Sequence, residues 1–207
     1  MHEPSAAVFI IECDSSVCAS LRTVLAATGL NVETFESAQA FLDGFDVDRA
    51  GCLVLDIRLP GMGAVQLQQH LTAIRAIVPI VFITGHGDVP LAVEAMQNGA
   101  VDFVQKPVND VDLIVRVGRA LEKDRANRAV LAATEEIRSR LQLLSVPERQ
   151  VLELLAQGRA EKLIACELGL SPRGVEIHRA RVMEKMGASS LAHLVRMATE
   201  AARVTSS

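Results

Sequence analysis

Cys52-Leu53-Val54-Leu55-Asp56-Ile57-Arg58-Leu59-Pro60-Gly61 sets an aspartate at the end of a short apolar run and follows it with a proline–glycine loop. Such a run, bounded by turn formers, reads as a strand buried on both faces. Asp56 then stands at the strand's carboxyl end, in a loop mouth. The same pattern repeats outward from it. Ala7 to Glu12 reads as a strand, followed by a helix over 16–28 that Gly29 stops. Asn31 to Phe35 reads as the next strand and 38–44 as a helix. Beyond Gly63 the spacing predicts a helix over 65–77, a strand over 80–84 and a helix over 90–98 ended by Gly99. A last strand over 101–105 breaks at Lys106-Pro107, and a helix starts near Asp110. Five strands alternating with five helices predict an α/β fold, a doubly wound parallel sheet covered on both faces. Functional groups in such sheets gather at the carboxyl ends of the strands, beside the topological switch point. Asp14, Asp56, Thr84 and Lys106 all lie at or just past predicted strand ends. A single strand-end aspartate is commonly a turn former; the ordered set carries the signal.

After Asp110 the chain is helix-forming, with no glycine or proline between Gly118 and Pro147. Apolar Val130, Ala133, Ile137, Leu141 and Leu144 recur at three- and four-residue spacing. We read a helical linker over 123–142, between a domain at 1–122 and an all-α domain at 143–207. The linker either pairs with its copy in a dimer or docks on its own front half. The tail reads as four helices. The first two are ended by Gly158 and Gly169. The third opens with Ser171 as N-cap and Pro172 at the first helical position, and stops at Gly187. The fourth opens at Ser189 or Ser190. Two short helices around a glycine-containing turn, 161–186, form a helix-turn-helix pattern.

Half of the 207 residues are hydrophobic and 22% are charged, which excludes a disordered chain. No stretch approaches the roughly 18 apolar residues of a membrane span, and no basic segment precedes an apolar run at the N-terminus, so a cytoplasmic protein without a membrane partner is expected. Cys13, Cys18, Cys52 and Cys166 form no CxxC pair and no zinc-type spacing; they read as small hydrophobes in a reducing compartment. From Leu141 onward there are nine bases and seven acids, +2, against -4 for the whole chain, so the remainder carries -6. An acidic front suits a cation and a mildly basic back suits a polyanion. There is no catalytic triad or nucleotide loop, so an enzyme proper is not expected.

Leu53 to Gly61, Ile83-Thr84-Gly85-His86-Gly87-Asp88-Val89-Pro90 and Gly99-Ala100-Val101-Asp102-Phe103-Val104-Gln105-Lys106-Pro107 resemble the receiver domains of the FixJ subfamily of response regulators. The resemblance implies a flavodoxin-like receiver in which Asp56 is the phosphoacceptor. It makes Thr84 the hydroxyl that swings onto the phosphoryl group, Lys106 its ion-pair partner and Phe103 an aromatic that rotates with Thr84; plain core packing is the alternative for Phe103. Magnesium is then held by Glu12, Asp14, Asp56 and the backbone carbonyl of Arg58. One departure bears on that site. The family has two adjacent acids after the first strand, whereas this chain reads Glu12-Cys13-Asp14, with a thiol in the place of the second. A neutral thiol replaces a magnesium-ligating oxygen poorly. Two readings follow: Asp56 is phosphorylated with weakened metal affinity, or the receiver is degenerate and signals without phosphate, by another ligand, by constitutive dimerisation or by oxidation of Cys13.

Pro147 to Gly187 resembles the LuxR-type (GerE) helix-turn-helix, most closely along Leu168-Gly169-Leu170-Ser171-Pro172-Arg173-Gly174-Val175-Glu176-Ile177-His178-Arg179-Ala180-Arg181-Val182-Met183-Glu184-Lys185-Met186. Such motifs lay the second helix in the major groove. Double-stranded DNA is the expected partner, contacted by Lys162, Ser171, Arg173, Glu176, Ile177, His178, Arg179, Arg181 and Lys185. Leu163, Ile164, Leu168, Val175, Val182 and Met186 are expected to form the apolar seam. Two departures bear on affinity: Gly174 where a threonine is common, and Glu161, which would repel phosphate if it faced DNA. In the last helix Leu191, Leu194, Val195 and Met197 are expected at a dimer contact, closing the small core, or both. The resemblance implies a two-component transcription factor partnered by a sensor histidine kinase, controlled by phosphorylation and homodimerisation. A phosphorelay interaction module without DNA binding is the alternative.

Overall fold

The computed structural model of the chain describes residues 6–85 and 89–205; His86 to Asp88, in one of the quoted segments, lie outside the described residues. Five strands, β1 (Ala7–Ile11), β2 (Asn31–Phe35), β3 (Gly51–Asp56), β4 (Ile80–Thr84) and β5 (Asp102–Gln105), form one parallel sheet in the order β2-β1-β3-β4-β5. Helices α1 (Ser15–Ala27), α2 (Ala38–Gly44), α3 (Ala64–Ala73), α4 (Val89–Gln97) and α5 (Asp110–Gln142) alternate with them. Side chains on a strand point alternately to opposite faces, and the core divides accordingly. Phe9, Ile11, Leu53, Leu55 and Phe82 pack with Phe41, Leu67, Leu71 and Ala95. Val8, Ile10, Val54, Val81 and Ile83 pack with Leu21, Leu25, Leu113 and Val117.

One helix is shorter than its apolar spacing predicts. α3 ends at Ala73, not at 77. Arg75 adopts a left-handed φ of 58°. Its amide donates to the carbonyl of Thr72 at 3.0 Å, and that of Ala76 to Leu71 at 2.9 Å. This is the Schellman closure, usually built on glycine; with arginine in that place, no stop signal was visible.

The chain divides into two compact units, Met1–Arg128 and Ala129–Ser207, and the division falls within α5. The linker stretch thus serves two cores. Asp124, buried, accepts from the amide of Gly51 at 3.0 Å and from Arg128 Nε at 3.0 Å. Arg128 also donates to the carbonyls of Asp48 (2.9 Å) and Arg49 (2.5 Å). Glycine is required at 51, because a Cβ there would stand 2.1 Å from the carbonyl oxygen of Ala7. Ile137 and Leu141 belong instead to the C-terminal core. Arg128→Ala is expected to destabilise the receiver unit by about 1–3 kcal/mol, since it strips buried Asp124 of its cation. Urea unfolding of a fragment ending at Arg128 measures this; an unchanged midpoint would refute it.

In the second unit follow α6 (Val146–Ala156), α7 (Glu161–Leu168), α8 (Pro172–Met186) and α9 (Leu191–Thr205). Val151, Leu154, Leu155, Ile164, Ala165 and Val175 form one apolar cluster. Leu144, Leu152, Val182, Met186, Leu194, Met197 and Ala201 form another around Ile137. No helix among the described residues is long and apolar enough to cross a membrane.

Candidate functional site

The sheet order reverses between β1 and β3, and the carboxyl ends of β1, β3, β4 and β5 share one rim. Ile11 is in register with Leu55, Asp56 with Ile83, and Thr84 with Gln105. Glu12, Asp56, Thr84 and Lys106 are thereby gathered from four strand ends. Lys106 Nζ donates to Glu12 Oε2 at 2.8 Å and to Asp56 Oδ2 at 3.0 Å. Both carboxylates are buried, at 2% and 5% exposure. Glu12 Oε1 also accepts from the amide of Asp14 at 3.0 Å, and Asp56 Oδ1 from that of Arg58 at 3.2 Å. For Lys106, burial pulls the ammonium pKa down, but the hydrogen bonds and charges of Glu12 and Asp56 outweigh it and leave it raised. Thr84 is buried at the end of β4.

One expected site residue stands elsewhere. Asp14 does not join the cluster. Its carboxylate is exposed and caps α1, accepting from Ser16 N (2.8 Å), Ser16 Oγ (2.6 Å) and Val17 N (3.2 Å). Those bonds hold its pKa below the usual value, the Ser16 hydroxyl foremost. Phe103 is not core: it is 42% exposed and, with Thr84, Ala92, Val93, Met96 and Gln105, lines a cavity of about 410 Å³. The place of Asp14 is taken by Cys13. Ligand atoms of Glu12, Cys13 and Asp56 all lie within 4.8 Å of one another.

In the C-terminal unit the Ser171 hydroxyl accepts from the amide of Gly174 at 3.1 Å and starts α8. Arg173, Glu176, Ile177 and Arg181 are exposed and recur at helical spacing on one face of α8, and Lys162 is exposed on α7. Three of the expected contacts turn away from that stripe. Lys185 Nζ is bound to buried Glu148 at 2.6 Å and to the carbonyl of Leu143 at 3.1 Å. Arg179 pairs with Glu161 at 3.0 Å, which also neutralises the acid expected to repel phosphate. His178 is half-buried. One further expectation is corrected and one open alternative is narrowed. Leu163 is 55% exposed and outside the seam. Leu194 and Met197 are buried in the small core, so they are not available to a partner; exposed Leu191 and half-buried Val195 remain.

Residues 8–118 match the response regulator receiver domain family, and 142–198 match the bacterial regulatory proteins of the luxR family. The transcriptional regulatory protein FixJ of Rhizobium meliloti is 47% identical over 191 residues, 92% of this chain and 94% of that one. The structure of the response regulator StyR is similar at 38% identity and a TM-score of 0.83, over 95% of this chain and all of that one. Full-length FixJ from B. japonicum is similar at 42% identity and a TM-score of 0.58, over 96% and 98%.

The chain is a two-component response regulator of the FixJ type. Its architecture is that of a transcription factor, a receiver followed by a LuxR-type helix-turn-helix. Receivers typically bind magnesium at this rim, and the regulator keeps an acidic pair there, Glu12 and Asp56. The third donor does not fit. Magnesium takes oxygen ligands in near-octahedral geometry, and here sulfur holds one protein position while Asp14 is spent on a helix cap. One buried ion pair escaped the sequence reading: Glu148 and Lys185. Ser145-Val146-Pro147-Glu148 has the spacing of a capping box, and Glu148 does return to the Ser145 amide at 2.8 Å; that local signal says nothing of Lys185.

Proposed function

We propose that the regulator is switched by phosphorylation of Asp56 and then binds DNA as a homodimer through α8. The observation that carries this reading is Lys106 spanning the carboxylates of Glu12 and Asp56 at a strand-end rim. Asp56 supplies the nucleophilic oxygen, and Lys106 offsets charge on the transferring group. Thr84, at the neighbouring strand end, is the hydroxyl that follows the phosphoryl group. Phe103 is the aromatic that fills the adjacent cavity as Thr84 moves. Magnesium is held weakly, and the phosphoryl donor in the cell is a sensor histidine kinase. Phosphorylation biases a receiver equilibrium toward a pairing state. Apolar side chains exposed on the receiver, Val93 and Met96 on α4, Phe103 on β5 and Val111 and Val115 on α5, suit that pairing. We place the protein in the cytoplasm.

Acetyl phosphate treatment followed by mass spectrometry tests the switch: one phosphoryl group on the wild type and none on Asp56→Asn. No gain on the wild type would favour the degenerate receiver, for which Cys13 speaks. For DNA, Arg173, Glu176, Ile177 and Arg181 face the groove and Lys162 the backbone. Lys162→Ala is expected to weaken binding to all sequences alike and to reduce the salt slope by about 1. Arg173→Ala or Arg181→Ala is expected to cost about 1–3 kcal/mol where the residue reads a base. Salt-dependent gel shifts with promoter fragments measure both. No salt-dependent shift with any fragment would leave only an interaction module.

A further inference from the structure

The sulfur that spoils the magnesium site suits a softer cation. We propose that Glu12, Cys13 and Asp56 form a site selective for a borderline-soft divalent cation, zinc being the model, over magnesium. The three donors come from the end of β3 and from the turn after β1, with ligand atoms all within 4.8 Å of one another. Two are buried carboxylates and the third is an exposed thiol, so the cluster is open to solvent on its sulfur side. Sulfur already lies 3.9 Å from Glu12 Oε1.

The donor chemistry discriminates between cations. Zinc accepts thiolate and carboxylate in four-coordinate sites, and three protein ligands with one open position is its usual arrangement outside structural sites. Magnesium gains nothing from sulfur and is left with two carboxylates. Charge agrees. Glu12 and Asp56 contribute two negative charges and Lys106, bonded to both, one positive. A thiolate, its proton released to solvent as the metal binds, brings the total to -2, which a divalent cation balances. None of this was visible from spacing. Cys13 and Asp56 are 43 positions apart and belong to no linear metal motif. The inference deepens the reading of this rim as a phosphoryl acceptor, but its test needs no phosphate.

The chain contains neither tryptophan nor tyrosine, so its near-ultraviolet absorption is nearly empty. Cobalt, the spectroscopic substitute for zinc, gives an intense near-ultraviolet charge-transfer band only when bound by thiolate. Full-length, unphosphorylated protein is titrated with cobalt under a phosphine reductant, then challenged with zinc and separately with magnesium. A band is expected that zinc erases and a large excess of magnesium does not. Cys13→Ser should lose the band while keeping its helical circular dichroism. Cys13→Asp should gain magnesium affinity by more than the roughly 10–100-fold that changes beyond the ligands produce, read by calorimetry. A band that survives in Cys13→Ser assigns the sulfur to Cys18 or Cys166 and overturns the proposal. So does the absence of any band in the wild type, or its displacement by magnesium as readily as by zinc. A receiver whose Asp56 cannot be phosphorylated would leave all these readings unchanged, so the two failures are separable.

Discussion

Lys106→Ala is expected to lower the rate at which acetyl phosphate labels Asp56 by roughly 10²–10³-fold, the cost of removing one preorganised group from developing charge. The ammonium spans Glu12 and Asp56 at 2.8 and 3.0 Å, so it stands where the phosphoryl oxygens would gather. Lys106→Arg should not restore the rate, because a planar fork does not reproduce a compact ammonium between two carboxylates. Stability should fall as well, by about 1–3 kcal/mol, since two buried carboxylates lose their cation; partial exposure of Lys106 keeps the figure below that of a fully buried pair. The pH dependence has a definite sign. A lysine whose pKa is raised in the folded state stabilises below its unfolded value, and this contribution is lost as pH rises through the folded one. A wild-type labelling rate in Lys106→Ala would remove the lysine from the mechanism.

Lys185→Ala is expected to destabilise the C-terminal unit by about 2–3 kcal/mol, by leaving a buried carboxylate without its cation. Its effect on DNA binding by the folded protein should be small. Glu148 is 3% exposed, bonded to Lys185 at 2.6 Å and to the Ser145 amide at 2.8 Å. Those bonds, the lysine's foremost, hold its carboxyl down to about 2 from an ordinary 4.5. Because that pKa is depressed, the stabilisation is present above about pH 4.5 and is lost as pH falls toward 2. Acid unfolding of the isolated unit, followed by circular dichroism, should therefore flatten in Glu148→Gln. A double-mutant cycle on Glu148 and Lys185 should return a coupling near 2 kcal/mol, reduced from buried-pair values because Lys185 is partly exposed. If Lys185→Ala kept full stability and lost DNA affinity, the residue would belong to the groove after all.

These three ion pairs mark how far the linear reading reached. Strand positions such as Asn31–Phe35 and Ile80–Thr84 were legible, because short apolar or β-branched runs between turn formers have few other folds open to them. The start of α8 was legible because Ser171 and Pro172 act locally, within one helical turn. The end of α3 was not, because Arg75 takes a conformation that sequence assigns to glycine. Among the acids after β1, both Glu12 and Asp14 were candidates for the cleft; the fold sent one inward and used the other as a cap.

The α9 side chains show the same limit. The sequence showed Leu191, Leu194, Val195 and Met197 as apolar positions of the last helix, but not which of them meet a partner and which their own core; Leu194 and Met197 went inward.

By itself, then, the sequence determined the alternation of strands and helices, the residues at the strand ends and the polarity of each helix face. Those follow from periodicity and local backbone chemistry. Only the tertiary structure decided which charge meets which. Lys106 finds Glu12 across 94 positions and Asp56 across 50, and Lys185 finds Glu148 across 37. A charged side chain chooses among all the groups that packing brings within a few ångströms, and no local pattern records that choice.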